Sequence, residues 1–140
     1  MTRSGGRRHR GRELALRVLF EIEGTDKDPQ AALDYQGEEL GATADVALFA
    51  QQIVFGCLRN LDAVDDALTA ASDNWALSDI GKVERAVLRL GTYELLQSPD
   101  VPVAVVLDES VELAKTYSGE AASSFVNGVL GQVAARNEPT

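Results

Sequence analysis

The chain has 140 residues, 45% of them apolar, and a formal net charge of −9, which fits one compact domain with a sizeable core. No run approaches the roughly 18 apolar residues of a membrane helix, and the basic start is not followed by a secretory apolar segment. A cytoplasmic protein with no membrane association is therefore expected. Cys57 stands alone, so intrachain disulfides and cysteine zinc clusters are excluded. Its neighbours Ile53, Val54, Leu58 and Leu61 make it a core thiol.

The charge is unevenly spread. Residues 1–17 hold six arginines and one acid, for a net of +5, while the other residues hold seven bases against 21 acids, for −14. A basic arm acts locally, over about a Debye length of ~8–10 Å, so the acidic total does not rule out a nucleic-acid contact. Residues 1–9 lack apolar side chains beyond the initiator Met and are expected to form a flexible basic arm. Residues 10–140 are expected to form a single all-helical domain.

Helical periodicity governs the rest. A first helix is predicted from about Arg10 to Glu23, with Ala15, Val18, Leu19 and Ile22 on one face and Gly24 as its stop. A second opens at Asp28-Pro29, a cap followed by a first-turn proline, and closes at Gly41. A third spans about Thr43 to Asn60, its stripe running through Val46, Phe49, Ala50, Ile53, Val54 and Cys57. Asp62 is read as the cap of a short fourth helix carrying Val64, Ala67, Leu68 and Ala71.

A polar break, Ser72 to Asp79, holds the only tryptophan, Trp75. The fifth helix, about Ile80 to Gln97, is apolar on nearly all sides, which places it centrally in a bundle. A sixth runs from Asp100-Val101-Pro102 to Tyr117, with Val103, Val106, Leu107, Val111 and Ala114 facing inward. A seventh, about Ala122 to Arg136, packs Phe125, Val126, Val129, Leu130 and Val133. No segment alternates as a strand does, so the fold class is all-α.

Catalytic chemistry finds little to work with. The single histidine, His9, lies in the arm, so no triad can be built on a core imidazole. No phosphate loop or dinucleotide fingerprint occurs. The acid pairs, Asp65-Asp66 and Asp108-Glu109 among them, read as solvated helix faces. A binding protein without a cofactor or metal, rather than an enzyme, is what remains.

Four strings carry more than period and charge: Arg7-Arg8-His9-Arg10-Gly11-Arg12-Glu13-Leu14-Ala15-Leu16, Val83-Glu84-Arg85-Ala86-Val87-Leu88-Arg89-Leu90, Asp108-Glu109-Ser110-Val111-Glu112-Leu113-Ala114-Lys115, and Phe125-Val126-Asn127-Gly128-Val129-Leu130. In this order and spacing the chain, from about Arg7 to Val133, resembles the NusB family of transcription antitermination factors. The resemblance implies a seven-helix fold of two roughly perpendicular three-helix bundles plus one additional helix. It also implies binding of boxA-type single-stranded RNA in ribosomal RNA leaders, jointly with the small-subunit ribosomal protein NusE, in support of the RNA polymerase elongation complex.

Within that resemblance Arg8, Arg10 and Arg12, with Arg7 and His9 beside them, match the RNA-contacting cluster. Guanidinium groups pair with phosphates and stack on unpaired bases. Phe20 and Phe125 match aromatic positions that serve either as stacking platforms or as core. Asn127 either offers its amide to a base edge or acts structurally, with Gly128 allowing close helix approach. Glu84 matches a position near the partner interface, and the acidic surplus suits a basic ribosomal protein. Two departures stand out: Ala121 replaces a frequent acid, and His9 replaces an arginine. Self-association as a homodimer is left open. The alternatives are a protein–protein adapter without direct RNA binding and an accessory domain of an RNA methyltransferase. The second lacks any cofactor-binding strand–loop–helix here.

Overall fold

The computed structural model describes residues 5–72 and 75–137. Seven α-helices account for most of them: α1 (Gly5–Ile22), α2 (Pro29–Leu40), α3 (Ala44–Arg59), α4 (Leu61–Ala71), α5 (Lys82–Gln97), α6 (Val103–Ser118) and α7 (Glu120–Arg136), with a 3-10 turn at Leu77–Asp79. Among the described residues there is no strand, and no helix is long and apolar enough to cross a membrane. The chain divides into two compact units, residues 1–59 with α1–α3 and residues 60–140 with α4–α7, where the sequence pattern predicts a single domain over 10–140.

In the first unit each helix packs on the other two. The start of α1 is a departure. The backbone is helical from Gly5, so residues 5–9 of the expected flexible arm form its first turns, while residues 1–4 lie outside the described residues. Leu14, Ala15, Leu16, Val18 and Leu19 of α1 are buried. The helix ends at Ile22, whose carbonyl accepts the Thr25 N–H at 3.0 Å and hydroxyl at 2.8 Å. The boundaries of α2 follow its local chemistry. The Asp28 carboxylate accepts the Ala31 N–H at 3.2 Å, Pro29 follows it, and Gly41 closes the helix at φ 63° with its N–H on Glu38. Cys57 is buried, in keeping with a core thiol.

In the second unit α5 packs on α4, α6 and α7 and buries Ala86, Val87, Leu88, Leu90, Gly91, Thr92 and Glu94. Its burial follows its composition, but it shares the centre of the unit with α7, which packs on α4, α5 and α6. Gly91 permits that position: a Cβ there would stand 2.7 Å from Leu130 Cδ1 and 2.8 Å from Ser110 Oγ. Asp65 departs from the solvated-face reading. Its carboxylate takes a two-pronged bond from Arg89, at 2.9 and 3.0 Å, tying α4 to α5.

Several boundaries shift. Asn60, not Asp62, occupies the cap of α4 and makes no side-chain cap bond. Ile80 is buried ahead of α5 rather than inside it. Val103, expected to face inward, is exposed in the first turn of α6, and Val106, Ser110, Leu113 and Ala114 carry its buried face.

Leu90 is fully buried midway along α5. Leu90→Ala is expected to cost on the order of 2–5 kcal/mol in urea unfolding. A loss below about 1 kcal/mol would place the core of this unit elsewhere.

Candidate nucleic-acid interface

The basic residues are set by the phase of α1. Arg7, Arg8 and Arg10 are exposed and His9 is half-buried. Arg12, which the resemblance places in the RNA-contacting cluster, is 1% exposed. It shares a stripe with Leu16 and Leu19, at i+4 and i+7, so the turn of the helix carries it inward. It is corrected to an interior position and is not available to a phosphate.

Arg12 and Arg8 converge on one ring. The Cζ atoms of both stand 5.6 Å from the centroid of Phe49 on α3. Between them Gly11 leaves room for that ring, since a Cβ on Gly11 would collide with Phe49 Cδ2. Cation–π attraction of this kind strengthens as the cation loses water, so the buried Arg12 contact is the stronger of the two.

Arg7 takes a different partner. Its Nη1 donates to Asp45 Oδ2 at 2.6 Å, with the two side chains 74% and 49% exposed. Asp45 lies in the first turn of α3, where an acid suits the helix dipole. It also accepts hydrogen bonds from the Thr43 hydroxyl and, at 3.0 Å, from the Val46 N–H. The Thr43 hydroxyl, and then Arg7, pull its carboxyl down to about 2. Whatever Asp45 contributes to stability is thus in place above the ordinary carboxylate range and is lost only as pH falls towards about 2.

Farther along α1, Arg17 is half-buried and Phe20 is 39% exposed. Arg7, Arg10, Arg17 and Phe20 occupy one broad face, and Phe20 lies about 15 Å along the axis from Arg10 at 1.5 Å per residue. Of the two readings of Phe20, exposure favours a surface platform over core.

The remaining candidates lie in the second unit. Phe125, on α7, is half-buried and meets Trp75 edge to face, with ring centroids 5.5 Å apart and planes at 73°. Trp75 is 52% exposed. The backbone that follows it is braced by Arg85, whose Nη1 donates to the carbonyls of Leu77 at 3.1 Å and Ile80 at 2.6 Å. Asn127 is exposed in mid-helix and caps nothing. Gly128 has open space where a Cβ would stand, so the close helix approach considered for it does not occur there. The half-buried Glu84 accepts a hydrogen bond from the Ser118 hydroxyl at 3.1 Å, linking the first turn of α5 to the end of α6.

Three residues were missed as site members: Asp45, Phe49 and Trp75. Asp45 and Phe49 are i,i+4 on α3 and so share a face. The signal that could have found them is Gly11, a glycine inside a basic helical run, which implies a bulky neighbour pressed against the backbone.

The NusB family model matches residues 9–135. A protein of Sorangium cellulosum, "Transcription antitermination protein NusB", is 45% identical over 130 residues, covering 92% of each chain. Among solved structures, T. maritima NusB superposes with a TM-score of 0.86 at 34% identity, covering 94% of this chain and 93% of the other. A chain from a complex of the antitermination factors NusB and NusE with double-stranded RNA superposes with a TM-score of 0.85 at 27% identity, covering 93% and 97%.

Gly11→Ala forces the Phe49 ring off α1 and is expected to destabilise by about 1–3 kcal/mol. Arg10→Ala, at an exposed position, should change stability by less than about 0.5 kcal/mol. Urea unfolding followed by circular dichroism compares the two, and equal effects would remove Gly11 and Phe49 from the contact that shapes this surface.

Proposed function

The chain belongs to the NusB family of transcription antitermination proteins, and from that premise we propose that its α1 surface binds boxA-type single-stranded RNA of ribosomal RNA leaders. The observation that carries this reading is the set Arg7, Arg8 and Arg10, exposed on the first turns of one helix in a chain of net charge −9. Their guanidinium groups take phosphates, and the field at a helix N-terminus favours anions beside them. His9 lines the same turns. Arg12 supports Phe49 from within.

Phe20 offers a ring to an unpaired base, and this favours a single strand over a duplex, whose bases are already stacked. Phe125 and Asn127, two residues apart on α7, are proposed as further RNA contacts. The relative solved with double-stranded RNA also contains NusE. We propose the same kind of partner here, docked through a surface that includes Glu84. Residues 60–140 hold 13 acids against five bases, which suits a basic ribosomal protein. The site of action is the cytoplasm, on the RNA polymerase elongation complex.

Three phosphate contacts to a single strand imply that log K falls with log salt at a slope near −2, from about 0.7 per cation. Fluorescence anisotropy with a labelled boxA-type oligoribonucleotide measures it, with a duplex of equal length as competitor. Replacing Arg7, Arg8 and Arg10 together by alanine should flatten the slope. A slope near zero in the unaltered protein would leave a protein–protein adapter without direct RNA contact.

For the partner, Glu84→Lys should weaken NusE binding while leaving RNA affinity of the isolated protein equal or slightly higher. Calorimetric titration of NusE, with and without RNA, should also reveal a coupling of about 1–3 kcal/mol, reciprocal by linkage. Identical NusE affinities in the two titrations would mean independent sites.

A further inference from the structure

We propose that Asp45 is an internal stand-in for an RNA phosphate, occupying Arg7 until a phosphate replaces it, so that binding at Arg7 is an exchange rather than an addition. This rests on the reading that the exposed arginines of α1 bind RNA. The ion pair joins Arg7 Nη1 to Asp45 Oδ2 at 2.6 Å. A carboxylate and a phosphate present similar oxygen acceptors to a guanidinium, so one can take the other's place.

The two partners are not held alike. Asp45 is fixed by the Thr43 hydroxyl and the Val46 N–H, in the first turn of α3. Arg7 sits two residues from the start of α1 on a long side chain that is 74% exposed. The carboxylate therefore stays and the guanidinium swings. Because the pair is open to water, it holds Arg7 weakly and screens with salt.

The exchange has a consequence for selectivity. A phosphate that reaches Arg7 must displace Asp45 and leave that carboxylate bare beside the nucleic acid. Only a strand already positioned by its other contacts gains from doing so. Asp45 thus lowers affinity for any strand that draws on Arg7, by the strength of the ion pair that is given up.

The test is a double-mutant cycle read by anisotropy with the labelled boxA-type oligoribonucleotide. Asp45→Asn removes the charge and keeps an acceptor for Thr43 and Val46, and Asp45→Ser is a second uncharged variant suited to a helix start. Both are expected to bind RNA more tightly, by up to about fivefold, the strength of an exposed ion pair. A freed Asp45 takes up one cation, so under the exchange the unaltered protein falls about 0.7 short of the full three-contact slope of about −2, and both variants should restore it. In an Arg7→Ala background both gains should vanish. A gain that persists undiminished without Arg7 would reduce Asp45 to general charge repulsion and overturn the exchange. Weaker binding by Asp45→Asn would make Asp45 a residue that positions Arg7, which also overturns it. If the unaltered protein binds RNA with salt dependence yet Asp45→Asn changes nothing, the exchange fails alone. If the unaltered protein shows no RNA binding, the underlying reading falls with it.

Discussion

The contact between α1 and α3 at Phe49 is the constraint on which the basic surface depends. Several cations stand in the first turns of α1, where the helix dipole disfavours positive charge. Paired glycines at its start add a further entropic cost. Left alone, this segment would fray. The opposite end of the balance is on α3: Asp45 neutralises Arg7, and the Phe49 ring takes Arg8 and Arg12 against its π system. Gly11 makes the approach possible because any side chain there would push the ring away.

That dependence explains what could be read from the chain and what could not. The ends of α2 were legible because a cap at Asp28, Pro29 and a left-handed Gly41 are local chemistry, settled within four residues. The burial of α5 was legible because a helix apolar on nearly all sides needs neighbours around it. The start of α1 was not, since residues 5–9 carry a composition typical of disorder and are held by α3, some forty residues on. Val103 misled because a valine at the head of a helix is as apolar by type as one in its middle, while first-turn positions have fewer neighbours to bury them.

Arg12 shows a finer limit. Its phase with Leu16 and Leu19 was present in the sequence and pointed inward, yet residue type and its place in an arginine cluster pointed outward. A buried arginine needs partners, and the one on α3, Phe49, could be identified only once α3 was set against α1. Asp65 erred in the other direction. An acid pair on an amphipathic helix reads as solvated, but Arg89 lies 24 residues away in sequence and only the packing of α5 on α4 brings it across. Charged residues are the ones whose role sequence leaves most open, because their burial is decided by distant chain.

The accounting of charge in the second unit carries this into function. Of its few bases, Arg89 is committed to Asp65, Arg85 to the carbonyls of Leu77 and Ile80, and Lys115 to Glu120. The cations are therefore largely engaged within the unit, while acids such as Asp66, Asp79, Asp100, Asp108 and Glu112 remain exposed. An acidic surface of this kind repels RNA phosphates and attracts a basic protein. The first unit, with nearly balanced charge overall, concentrates its cations on the start of a single helix. On the proposed reading charge draws a polyanion to the start of α1 and a polycation to the acidic surface, and Phe125 and Asn127 meet the RNA through a ring and an amide rather than through charge. Specificity within each class must then come from short-range contacts: rings and amides for the RNA, shape and apolar side chains for the protein.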